Sequence, residues 1–164
     1  MRMLTPLLGC CLTLSTCTTS TPPSMPPGAA GRPTTVPTAM EGVVKLLGPG
    51  TQRGETYTIE IPREDLIVTT ELGDIPVSAG LRSDFHFFPC PCGKMSVVGQ
   101  FVVLDYEVTD VIDELRVDNA IKVASIANMF LGERPRIMLI RFQGDGQASK
   151  LAATLNRALS WTGE

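Results

Sequence analysis

Between residues 56 and 61 the chain alternates without a break: Tyr57, Ile59 and Ile61 fall on one side, Thr56, Thr58 and Glu60 on the other. That is the period-two pattern of a half-buried strand. Residues 66–68, 75–77, 85–88 and 97–104 continue in the same style, separated by turn-forming pairs at Gly73-Asp74, Ser83-Asp84 and Cys92-Gly93. Together they predict an antiparallel meander. Ahead of it, residues 41–47 fit one or two turns of helix, stopped by Gly48-Pro49-Gly50.

The period changes after Leu104. Val108, Val111, Ile112 and Leu115 recur at i, i+3, i+4 and i+7, one helical stripe, with Asp105 as the expected N-cap. Glu107, Asp110, Asp113 and Glu114 then face mostly away from the stripe. Such a run of acids reads as a solvated helix face rather than a metal-binding or catalytic pair. Residues 121–126 and 136–142 read as strands, the second apolar enough for a central position. Asp145 is placed to cap a last helix that buries Ala148, Leu151, Ala152, Leu155, Ala158 and Leu159. The predicted class is α+β: an antiparallel meander continuing into a β-α-β-β-α unit, with the helices packed on one face of the sheet.

The head of the chain changes the picture of where this domain works. Arg2 precedes a short apolar run over residues 3–14, and Leu14-Ser15-Thr16-Cys17 reads as a lipobox ending in a lipidated Cys17. Leu7-Leu8-Gly9-Cys10 is a second match that leaves too few residues before it, and a Sec signal without lipid is the plainer alternative. Residues 18–38 are almost wholly Thr, Ser, Pro, Gly and Ala, a composition too poor in apolar side chains to offset the entropy of ordering. The expected organisation is a signal peptide at 1–17, a disordered linker at 18–40, one domain at 41–160 and a short tail at 161–164. An apolar run this short does not make a spanning helix, so the expected location is the cell envelope, lipid-anchored to a membrane. Removing the head leaves about 120 residues, enough for one core. With 17 acidic against 14 basic residues and no basic cluster, nucleic acid is not an expected partner.

The segment Ile-Ala-Asn-Met-Phe-Leu-Gly-Glu-Arg-Pro-Arg-Ile-Met-Leu-Ile-Arg-Phe-Gln-Gly-Asp-Gly over residues 126–146 carries a resemblance, together with the Gly-Gln-Phe-Val-Val-Leu strand at 99–104 and Lys150-Leu151-Ala152. So does the upstream pattern of residues 57–63 with Asp65-Leu66 and Val68. The chain resembles the family of bacterial lipoproteins typified by LppY and LpqO, a domain of unknown function, over residues 41–160. The specific matches are Asn128, Gly132-Glu133, Pro135-Arg136 and Gly144-x-Gly146. Members of that family typically carry a His-Asn-His triplet and a His-x-His-Gly-His-Gly run. Here those positions hold Ala127-Asn128-Met129 and Arg141-Phe142-Gln143-Gly144-Asp145-Gly146. Alternating histidines on adjacent strands would share one side of a sheet, a natural way to hold a transition metal or move protons. This chain is thus a histidine-poor member by that resemblance, and lacks whatever chemistry rests on those imidazoles.

The remaining candidates at that place are Asn128, Glu133, Arg136, Arg141 and Gln143. Glu133 and Arg136, in or beside a strand-connecting turn, are expected to form an ion pair holding a hairpin, with a ligand clamp as the alternative. Arg141 on an otherwise apolar strand either faces solvent or, with Asn128 and Gln143, meets an anionic ligand. His86, Cys90, Cys92 and Met95 form a second set whose soft ligands suit copper(I). The plainer readings are a local Cys90–Cys92 disulfide or two incidental loop thiols, the last being the leading one, with no metal bound. No P-loop, dinucleotide fingerprint, HExxH or calcium loop occurs, so no cofactor is expected. Two functions follow from these readings. One is a non-catalytic envelope module that binds a small acidic ligand or an envelope component. The other is a metal-handling protein or enzyme that uses Asn128, Glu133 and Arg141, or the Cys90-Pro91-Cys92 loop.

Overall fold

The computed structural model describes residues 38–163; the head with Cys17, the linker up to residue 37 and the last residue lie outside them. A short 3-10 turn leads into α1 (Glu41–Leu47), and the strands are β1 (Thr51–Arg53), β2 (Thr56–Pro62), β3 (Val68–Thr70), β4 (Gly73–Ile75), β5 (Arg82–Pro89) and β6 (Met95–Leu104). Then come α2 (Val108–Arg116), β7 (Ile121–Asn128), β8 (Ile137–Gly146) and α3 (Ala148–Leu159). Six strands form one sheet in the order β1-β2-β5-β6-β8-β7, every neighbouring pair antiparallel. After β6 the chain crosses through α2 to the far edge, and β8 returns between β7 and β6. The class is α+β.

One sheet face is buried by the three helices. Met40, Val43 and Leu47, Val111, Ile112 and Leu115, and Leu151, Ala152, Leu155 and Ala158 pack on Tyr57, Ile59, Phe85, Phe87, Val97, Phe101, Ile140 and Phe142. At its centre Phe85, Phe101 and Phe142 meet as tilted rings with centroids 5.0–5.7 Å apart. Gly99 lies between Phe85 and Phe142 in the register, and a Cβ there would run into the Asp84 carbonyl and press on the Phe142 ring. The Phe142 ring and the backbone of β5 take the space that the missing side chain leaves.

Several sequence expectations are corrected. The meander is interrupted, because β3 and β4 leave the main sheet as a separate hairpin. Residues 66–67 are not strand: Leu66 N–H closes a turn onto the Arg63 carbonyl, and Ile67 points out, 76% exposed. Ser83-Asp84 is not a turn but part of β5, near its start, where Ser83 points inward, fully buried, and its hydroxyl accepts the Val102 N–H at 3.1 Å. Asp145 does not cap α3; it is an exposed residue of β8 with Lys94 Nζ at 3.5 Å, and Gln147 occupies the N-cap position without a side-chain bond. Asp105 likewise does not cap α2, which starts at Val108.

The largest correction concerns Glu107, expected in solvent and found 3% exposed. Arg63, equally buried, donates from Nη1 and Nη2 to its two carboxylate oxygens at 3.0 Å. Arg63 Nε and Nη2 also grip Asp65 at 2.9 and 2.8 Å, and Nη1 reaches the Val102 carbonyl at 2.8 Å. All five guanidinium N–H groups are therefore used. Glu107 further accepts the Leu104 and Gly163 N–H groups at 2.8 and 3.0 Å. The hub ties together the end of β2, the end of β6, the start of α2 and the C-terminal tail. Burial by itself would lower the Arg63 pKa, but bonding to Asp65 and Glu107 outweighs it and raises the value, so the group is a fixed cation. The same bond to Arg63 holds Asp65 below the ordinary carboxylate range. On the other side of α2, Arg157 of α3 pairs with Glu114 and Asp118, and Asp118 is lowered by Thr154 and then by Arg157.

Two predictions follow from the hub and the helix pin. Arg63→Ala strands Glu107 as a buried unpaired carboxylate and should cost about 3–5 kcal/mol in urea unfolding, the range for breaking a buried pair. Asp65 and Asp118 titrate lower folded than unfolded, so their contribution is complete above the ordinary carboxylate pKa and is lost as pH falls through their folded values. The urea midpoint should therefore hold between about pH 5 and 7 and drop below about pH 4. The double variant Asp65→Asn, Asp118→Asn should be less stable at neutral pH and show a shallower acid limb.

Candidate functional site

The second face of the six-stranded sheet is open over most of its area. At one end it is covered by a smaller apolar cluster, in which Leu66, Val68 and Leu81 pack on Val102, Leu104 and Ile137. Beyond that end the register lays polar side chains in rows across the strands. Glu60, Asp84, Gln100, Arg141 and Ser125 make one row; Thr58, His86, Val98, Gln143 and Lys122 make the next; Phe88, Ser96 and Asp145 make a third. A β-bulge between Val123 and Ser125 re-phases β7 so that Ser125 shares the face of Arg141.

Ala127, Met129, Arg141, Gln143 and Asp145, the positions that the sequence singles out for lacking histidine, fall on this face, spread along β8 and the end of β7. Arg141, Gln143 and Asp145 alternate along β8, Ala127 pairs with Leu139 beside them, and Met129 continues from Ala127, its N–H bonded to the Ile137 carbonyl. Met129 packs into the smaller apolar cluster. One half of the row is thus apolar and covered, the other half polar and exposed. Arg141 is exposed, and among the described residues it has no ion-pair partner; its acidic row-mates are taken, Glu60 by Arg82 at 3.6 Å and Asp84 by His86 at 2.8 Å.

The other sequence candidates do not join it. Asn128 pairs with Met138, on the opposite pleat from Arg141. Glu133 does not pair with Arg136: it is buried in the loop between β7 and β8, where its carboxylate accepts the Ile137 N–H at 3.1 Å. A carboxylate fastening the first residue of β8 is a loop anchor. Arg136 is exposed at the same end. Four residues separate Ile137 from Arg141, about 13 Å along the strand, so Arg136 and Glu133 serve a different end of the sheet. Only Arg141 and Gln143 of the five stand side by side.

Two concavities flank this pair. A cavity of about 650 Å³ is lined by Phe88, Cys90, Cys92, Val98, Lys122 and Gln143 among others. A second, about 390 Å³, is lined by Arg53, Thr58, Glu60 and His86 among others. Arg141 lines neither and stands one strand step from Gln143. In the smaller one, Thr58 Oγ1 lies 3.0 Å from His86 Nδ1, and Asp84 Oδ2 lies 2.8 Å from Nε2. The sequence pattern hides this hydroxyl–imidazole–carboxylate chain, because Ser83-Asp84 reads as a turn and sets Asp84 outside the strand that carries His86. The nearby Gly50 N–H donates to Tyr57 Oη at 2.8 Å, so it is not free to hold an oxyanion. The chain is a cross-strand fastening of β2 to β5.

The soft-ligand set does not converge. Both His86 nitrogens are engaged with Thr58 and Asp84, and Cys90 and Cys92, expected as incidental thiols, are joined as a disulfide. Among the described residues no group of three or more His, Cys, Asp or Glu is arranged to hold a metal, and no helix is long and apolar enough to cross a membrane.

The sequence profile of one family, described as Domain of Unknown Function (DUF1259), matches residues 42–161. The chain belongs to that family. The match runs from α1 through α3 and so takes in both sheet faces. No curated protein and no solved structure matches the chain.

Proposed function

We propose that this domain is an envelope-tethered, non-catalytic binding module that recognises an acidic ligand on the open face of its sheet. The observation that carries the reading is Arg141: an exposed guanidinium without an ion-pair partner among the described residues, on an interior strand, beside Gln143 and flanked by Gln100 and Ser125 in its row. A planar cation on a rigid strand can clamp a carboxylate or phosphate bidentately, with neighbouring amides and a hydroxyl to complete the contact. Lys122, opposite Gln143, adds a second positive charge. Membership of the DUF1259 family supports the finer resemblance to the LppY and LpqO lipoproteins, this chain being a histidine-poor member. In that reading the exchange of histidines for Arg141, Gln143 and Asp145 turned a proton- or metal-handling face into an electrostatic one. The lipobox at Cys17 and the Thr/Pro-rich linker would hold the domain at the envelope membrane.

Two experiments test the two halves. In a thermal-shift screen of carboxylates and phosphates, the ligand that raises the wild-type midpoint should bind Arg141→Ala about ten- to a hundredfold more weakly, the worth of a charge-assisted bond of roughly 1.5–3 kcal/mol. A shift that survives the substitution, or turnover of a screened compound, sinks the binding reading. Cys17→Ala should move the protein from the membrane to the soluble fraction, and unchanged fractionation removes the anchor.

A further inference from the structure

The turn between β5 and β6 holds a disulfide that the fold does not need. Its two cysteines are separated by Pro91 alone, so the bond closes one of the smallest possible loops and removes little freedom from the unfolded chain. The turn is already closed by backbone: Cys90 N–H bonds the Lys94 carbonyl at 2.8 Å and Gly93 N–H the Cys90 carbonyl at 3.0 Å. Cys92 is exposed, Cys90 is half-buried, and both line the mouth of the larger cavity beside the apolar side chains of Phe88, Val98 and Ala120. The two sulfurs are not equivalent. Cys90 Sγ accepts the N–H of Cys92 at 3.1 Å, whereas Cys92 is the more exposed residue of the two.

The geometry points to Cys90-Pro91-Cys92 as a thiol–disulfide exchange site acting on cysteine-containing extended segments of other polypeptides, which would lie in the cavity against Phe88 and Val98. A substrate thiolate attacks Cys92 Sγ, the Cys90–Cys92 bond breaks, and its electron pair leaves on Cys90 Sγ, where the Cys92 N–H stabilises the thiolate. Cys92 now carries a mixed disulfide with the substrate. If Cys90 attacks back, the substrate thiolate is released and the ring reforms, which only reverses the first step. Isomerisation runs from the dithiol form: the Cys92 thiolate attacks a substrate disulfide, the substrate thiolate so freed attacks a second substrate disulfide, and the thiolate that this frees displaces Cys92 from the mixed disulfide. If a second substrate thiolate attacks the substrate sulfur instead, the substrate gains a disulfide, Cys92 leaves as thiolate, and the pair ends as two thiols. A low-molecular-weight disulfide of the glutathione class then reoxidises the pair by the same exchange. An exported location, proposed above from the head, is a compartment in which such a pair is met oxidised. The inference rests on the two sulfurs and not on Arg141, so either reading can fail alone.

Trypsin releases residues 83–94, which contain Cys90 and Cys92 and no other cysteine, so their redox state can be read by mass in the full-chain protein. Equilibrated with mixtures of reduced and oxidised glutathione, then acid-quenched and alkylated, that peptide should pass from disulfide to dithiol as the reduced fraction rises. The full chain should also accelerate reactivation of scrambled ribonuclease A. That acceleration should be lost in the Cys90→Ser, Cys92→Ser double variant, with its circular dichroism unchanged. A peptide whose state does not follow the glutathione ratio, or reactivation equal in wild type and double variant, would overturn the assignment. If the double variant does not fold, the glutathione titration of the wild type decides alone.

Discussion

The Arg63–Glu107–Asp65 hub fixes the corner at which the end of β2, the end of β6, the start of α2 and the C-terminal tail meet. Its cost is that a guanidinium and a carboxylate leave water, and it persists because all five guanidinium donors are matched and Glu107 also takes two backbone N–H groups. The interaction sits where the chain turns from sheet to helix. Without it, the Leu104 N–H at the end of β6 and the Glu107 carboxylate at the start of α2 would lose polar partners in a dry place. The sheet keeps one face sealed by helices and the other largely free, and the hub holds α2 at one corner of the sealed face.

That asymmetry explains the distribution of chemistry. On the helix-covered face the phenylalanine trio and the tight approach at Gly99 leave little room for charged side chains. Ionisable strand residues are therefore driven to the other face, where β5, β6, β7 and β8 lay them in register. Rigidity comes with the placement. Arg141 is carried on a strand with ladder partners on both sides, so its guanidinium starts from a fixed backbone position, and ligand capture would cost little ordering there. The Cys90–Cys92 turn hangs from the same sheet at the edge of the larger cavity and is the part of this face with reactive atoms.

The candidate site was half legible. Arg141 and Gln143 fall two residues apart in a strand, and period two is enough to put them on one face. Asn128, Glu133 and Arg136 looked like their companions only because they are close in sequence. A pleat reversal separates Asn128 from Arg141, and a loop draws the Glu133 carboxylate inward to a backbone N–H. Local pattern carries no information about which side a residue takes after a bulge, such as the one between Val123 and Ser125.

What the sequence determined by itself is what short-range periodicity encodes: the alternation of β2, β5 and β6, the stripes of α2 and α3, the apolar run of β8 and the α+β class. These depend on which side of an element is apolar, and a window of about ten residues contains that. What only the tertiary structure decided are pairings between residues distant in the chain. Glu107 belongs by pattern to a solvated acidic run and becomes buried because Arg63, 44 residues away, waits at the same corner. Thr58, 28 residues before His86, becomes its partner only through strand register. Desolvation and charge pairing are properties of three-dimensional neighbourhoods, so these groups revealed their roles once the sheet was assembled.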